Sequence, residues 1–140
     1  MTQEKISHFF ESLEQETSVE NFRAIYDDTV VFKDPFNEVK GVEAVHKIFA
    51  HMYDNLENPR FVITEYIGTA DTAYVKWDFM FAFKGEMKEQ CFEGVSRLTL
   101  NAQDRVISHT DYWDAAEHIY EHLPLLGSVL RFAKRKIVGS

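Results

Sequence analysis

The period of the hydrophobic positions changes once along the chain, near residue 60. Before that point apolar residues recur at helical intervals. Ile6, Phe9, Phe10 and Leu13 mark one amphipathic helix. Ser18 is placed to cap a second, shorter helix with Phe22 and Ile25 facing inward. "TVVFKDP" (residues 29–35) predicts a short strand ended by Pro35. After Gly41, the positions Val45, Ile48, Phe49, Met52, Tyr53 and Leu56 trace a third helix, closed by "ENP". From residue 60 strict alternation takes over. "RFVITEYIG", "TAYVKWDFMFAFKG", "MKEQCFEGVSRLTLN" and "RVISHTDYWD" read as four strands, with a hairpin at Lys84-Gly85 and a turn at "NAQD". Helices first and antiparallel strands afterwards predict an α+β domain with its helices on one face of the sheet. The last segment, "AAEHIYEHLPLLGSVLRFAKRKIV", predicts two short helices separated near Pro124 and Gly127. With no repeat and no Pro/Gly-rich linker, residues 1–140 are expected to form one domain, with 115–140 a helical extension.

Alternate residues of a strand share a face. Val75, Trp77, Phe79, Phe81 and Phe83 therefore form one aromatic face, which fits either a core beneath the helices or a pocket wall. Tyr74, Lys76, Asp78 and Met80 share the other face, suited to solvent or to a subunit contact. The last strand aligns His109, Asp111 and Trp113. If that face packs inward, its polar groups must be hydrogen-bonded or they destabilise the fold. Beside a cavity, a His and an Asp can perform acid–base work. Val106 and Ile107 lie on opposite faces, so alternation alone does not choose. Asp34, directly before Pro35, either starts a turn or projects a carboxylate inward.

Composition narrows these options. Aromatic residues make up 14% of the chain, with twelve Phe and six Tyr, which favours a dense core or an apolar cavity. The net charge of −8 would repel a phosphate backbone, so no nucleic-acid partner is expected. Cys91, the lone cysteine, allows no internal disulfide and fits a reducing compartment. "MTQEKISHFF" has no signal-peptide pattern, and no stretch is long and apolar enough to span a bilayer. A cytoplasmic protein is expected. His118 and His122 are spaced i, i+4, but no companion ligand motif completes a metal site. Arg131, Lys134, Arg135 and Lys136 form a basic cluster on an apolar tail. It suits a cover for the open end of the fold or a dimer contact better than an anionic membrane surface.

"AIYDDTVVFKDP", then "GVEAVHKIF", then four strands ending in a "W-D" pair resembles the nuclear transport factor 2-like superfamily. More specifically it is similar to the SnoaL-like and ketosteroid-isomerase-like branch, over residues 5 to about 118. The resemblance implies a cone: a strongly curved, mainly antiparallel sheet wrapped around a long helix, enclosing an apolar pocket. It also implies a homodimer formed through the outer sheet face. His109, Asp111 and Trp113 would then line the pocket, opposite Trp77, Phe79 and Phe81, with Phe10, Ile48, Met52 and Ser96 completing it. Asp34 matches the proton-shuttling carboxylate of the isomerases. Phe10 stands where their oxyanion-hole Tyr falls, and Ser96 where their protonated Asp falls, so two stabilisers of an enolate are missing. Cyclases of the SnoaL-like kind need only an Asp or His in an apolar cavity, which Asp111 and His109 supply. The expectation is a cofactor-free acid–base enzyme of the isomerase, cyclase or dehydratase kind acting on a small hydrophobic molecule. Asp111 would be its base, His109 its relay or donor to a substrate oxygen, and Asp34 a second acid–base or orienting carboxylate. A non-catalytic protein holding a hydrophobic ligand is the alternative, and a protein–protein adaptor a third.

Overall fold

A computed structural model of the chain describes residues 2–114, 129, 131–133 and 135–137. Helices α1 (Thr2–Glu11) and α2 (Val19–Arg23) precede strand β1 (Tyr26–Lys33) and a short β2 (Glu38–Lys40). Helix α3 (Val42–Asn55) then leads into β3 (Leu56–Gly68), β4 (Thr72–Phe83), β5 (Glu89–Leu100) and β6 (Val106–Tyr112). The strands form one mixed sheet in the order β2-β1-β6-β5-β4-β3, curled but not closed, with the helices on its inner face. Every pairing is antiparallel except β1 with β6, which is parallel. The α+β expectation holds. The predicted break at Pro124 and Gly127, the His118/His122 pair and Lys134 lie outside the described residues. Those described beyond residue 128 are helical and exposed.

Three local features depart from the sequence pattern. β1 starts at Tyr26 rather than residue 29, because Asp27–Thr29 bulge out of the ladder. Tyr26 pairs with Val106 and Val31 with Ser108, so the longer β1 stretch is accommodated while Tyr26, Val30 and Phe32 all stay inward. β2 was not expected. It exists because Asp34 folds the chain back and pairs Glu38–Lys40 with β1. "ENP" does not separate helix from strand. α3 passes directly into β3, and Asn58 (φ 49°) with Pro59 marks a register shift inside the strand. Gly41 begins α3 at φ 99°, a conformation that disfavours side chains, while its N–H reaches the Val30 carbonyl at 2.7 Å. Ser18 caps α2 as expected, accepting from the Asn21 N–H.

Two apolar clusters result. One lies between the helices and the inner sheet and is built around Ile6, Phe9, Phe22, Val30, Val45 and Leu98. The other is wholly aromatic: Trp77, Phe79, Phe81 and Phe92 on β4 and β5. Each fully buried ring stabilises the fold by about 2–3 kcal/mol. Tyr53 on α3 is the exception within the first cluster. Its hydroxyl is buried with no hydrogen-bond partner among the described residues, and burial raises its pKa well above the ordinary range. Tyr53→Phe is therefore expected to leave stability unchanged or to raise it by about 1 kcal/mol, read as the urea midpoint.

Candidate active site

The inner face of β6 is set by a second irregularity. Val106 pairs with Leu100 and Ser108 with Thr99, so Ile107 is extra and exposed. The slip turns both Val106 and His109 inward, which regular alternation would forbid. His109 is 1% exposed and packs among Tyr26, Phe10 and Phe32, with ring centroids 4.8–5.8 Å away. A polar ring in such surroundings needs partners at both nitrogens, and it has them. Nδ1 lies 2.8 Å from the Tyr26 hydroxyl and Nε2 lies 2.6 Å from Asp111 Oδ1.

Burial, and then the Asp111 carboxylate, push the Tyr26 phenol well above its ordinary range, so it keeps its O–H. His109 thus bridges Tyr26 and Asp111 through its two ring nitrogens. Ser96 also donates to Asp111 Oδ1 and itself accepts from the Trp77 indole N–H at 2.9 Å. Both bonds to Asp111 converge on Oδ1, and Oδ2 has no protein partner among the described residues. Tyr26→Phe would leave a buried imidazole nitrogen without its partner. A loss of about 1–3 kcal/mol is expected from chemical denaturation, with a changed His109 Nδ1 resonance visible by ring-nitrogen NMR.

Asp111, 15% exposed at its side chain, reaches the wall of a cavity of about 290 Å³. The sheet supplies Trp77, Phe79, Phe81 and Phe92, and α3 supplies Ile48, Met52 and Asn55. Trp113 stacks on Phe92 with centroids 4.8 Å apart and meets Phe36 edge-on at 5.5 Å. Of the residues expected at the pocket, Asp111, Asp34, Trp113, Trp77, Phe79, Phe81, Ile48 and Met52 line it. His109, Ser96 and Phe10 do not. Phe10 is core against the His109 ring, and Ser96 stands behind the wall as a donor to Asp111. With both nitrogens occupied, His109 is placed to position Asp111 rather than to touch a bound molecule. Asp34 spends its oxygens locally, accepting from the amide N–H groups of Phe36 (2.8 Å) and Asn37 (2.6 Å) and from the Asn37 side chain. That is the turn-starting role, performed at the cavity edge. Tyr26 and Phe92 are the participants that sequence reasoning passed over. Tyr26 shares parity with Val30 and Phe32, a signal masked by the bulge.

A curled sheet wrapped around a helix is the fold of the nuclear transport factor 2-like class of α+β domains. Residues 6–109 match the SnoaL-like domain, and the chain belongs to that family. No curated protein matches it. Solved structures show the same fold at low identity. One is a hypothetical protein with a ketosteroid isomerase-like fold from Catenulispora acidiphila DSM 44928, in complex with trimethylamine. It has a TM-score of 0.71 and 13% identity, over 84% of this chain and 88% of that one. A candidate SnoaL-like polyketide cyclase from Jannaschia Sp. CCS1 gives 0.72 and 14%, over 83% and 87%. TerC, co-crystallised with polyporic acid, gives 0.71 and 14%, over 83% and 93%. Among the described residues no helix is long and apolar enough to cross a membrane.

Proposed function

We propose that the protein is a cofactor-free acid–base enzyme that moves a proton on a small hydrophobic molecule, with Asp111 as its base. The observation that carries this reading is the one-sided bonding of Asp111. Oδ1 is held by His109 and by Ser96, while the other oxygen is left for a bound molecule at the cavity wall. A base fixed in this way needs no reorganisation as it reacts. It would take a proton from carbon and return it elsewhere on the same molecule, the net change of an isomerase or of the ring-closing step of a cyclase. Tyr26 and His109 hold the carboxylate in place, and Asp34 shapes the loop that carries Phe36 to the cavity edge. The family includes polyketide cyclases and isomerases, which supports the same reaction class. The test is deuterium uptake from D2O at activated C–H positions in a panel of apolar ketones, followed by proton NMR. Protein-dependent exchange is expected for ketones that fit about 290 Å³. Exchange no faster than in buffer across the panel would favour the second reading, ligand holding without turnover. That reading is supported by the lack of a side chain placed as an oxyanion donor at Phe10. On the outer sheet face Val62, Tyr74 and Tyr112 are exposed, which supports the proposal of a homodimer.

A further inference from the structure

From His122 onward the chain carries Arg131, Lys134, Arg135 and Lys136 and no Asp or Glu, although its net charge is −8. The described residues of this stretch, 129, 131–133 and 135–137, are helical. At a step of about 100° per residue, Val129, Phe132, Ala133 and Ile137 fall within an arc of about 140°, and Arg131 and Arg135 lie on the opposite side. Lys136 falls inside the apolar arc, with its Nζ 5.4 Å from the centre of the Phe132 ring. A long stem of this kind follows apolar surface while its ammonium stays in water. A cover for the open end of the fold, the role that the sequence suggests for this tail, would bury the apolar arc. The structure leaves it in solvent: Val129 is 57% exposed, Phe132 55% and Ile137 85%.

We infer that this tail is an anchor that lies along the surface of an anionic lipid bilayer, with Val129, Phe132 and Ile137 in the headgroup layer and the basic residues against the phosphates. The apolar arc calls for a hydrocarbon boundary and the basic cluster for negative charge. An anionic bilayer offers both in one surface. The acidic remainder of the chain is repelled by the same surface, which confines the contact to the tail. A symmetric contact between the tails of two copies would instead set one basic cluster against another. The inference is independent of what the cavity binds or does.

Flotation of the full chain with lipid vesicles tests this. Vesicles of phosphatidylcholine with an equal part of phosphatidylserine are expected to carry the protein, and vesicles of phosphatidylcholine alone are not. Raising the salt concentration should weaken the binding. Arg135→Glu combined with Lys136→Glu should reduce partitioning at least about 25-fold, at roughly fivefold for each basic residue removed. Phe132→Ser combined with Ile137→Ser should reduce it at least about tenfold. All four side chains are exposed, so both double variants should melt with the unsubstituted protein. Binding to neither kind of vesicle, equal binding to both, or binding that survives either double substitution overturns the inference. Sedimentation equilibrium exposes the rival occupant. A dimer that dissociates on Phe132→Ser with Ile137→Ser, where vesicles are not bound, overturns the inference in favour of a second copy of the chain.

Discussion

Asp111→Asn is expected to remove proton exchange while leaving the fold in place. The rate loss should be about 10²–10⁴-fold, the usual contribution of one positioned general base. An Asn at 111 keeps an oxygen where His109 Nε2–H and Ser96 now donate, so the relay back to Tyr26 survives. The basicity is what disappears. Stability should fall little, because the hydrogen bonds to Oδ1 are kept. Asp34→Asn makes the informative comparison. Its oxygens already accept from the Phe36 and Asn37 amides, and an Asn side chain can go on accepting there. A loss smaller than about tenfold is expected for it. A larger loss at Asp34 than at Asp111 would exchange the roles of the two carboxylates. Single-turnover exchange rates with matched thermal melts decide between these outcomes.

Most of the architecture could be read from the sequence because each element has an unmistakable period. The helical spacing of Ile6, Phe9 and Phe10, and the alternation from Ala73 to Phe81, both come back as burial. What escaped was irregular backbone. The irregularity at Ile107 decides which side His109 faces, that at Asp27–Thr29 interrupts the strand before Tyr26, and a bulge leaves no periodic trace. Pattern reading could align His109, Asp111 and Trp113 on a face without saying whether that face lay inside. It also could not separate the roles within the row. Trp113 and Asp111 reach the cavity, whereas His109 stops one layer behind it, because the wall is fixed by rings from β4 and β5. Asp34 shows the reverse: its turn chemistry was legible, and the turn is what its oxygens serve. Phe10 and Ser96 were placed at the pocket by the resemblance alone, and local packing moved them off its surface.

Gly94 is the second position where a small change should have a large effect. It lies directly opposite Trp77 in the β4–β5 ladder, and the indole rests across it. A Cβ at this position would stand 2.5 Å from Trp77 Cζ2 and closer still to Cη2. The requirement is for space rather than backbone freedom, and a glycine in mid-strand is the sequence signal for such a close approach. Gly94→Ala therefore forces the indole to tilt. Tilting strains the packing, at about 1–3 kcal/mol, and breaks the Nε1–H bond to Ser96, at about 1–3 kcal/mol more. A domain of this size holds only about 5–15 kcal/mol in total, so a large drop in the urea midpoint is expected. Trp77 lines the cavity, so molecules that remain folded should also lose proton-exchange activity. The cause can be isolated by pairing the substitution with Trp77→Phe, whose shorter ring reaches less far over residue 94. If the indole is the obstacle, the double variant should be destabilised by clearly less than the sum of the two single variants. Simple additivity would locate the damage in the strand backbone and separate Gly94 from the site.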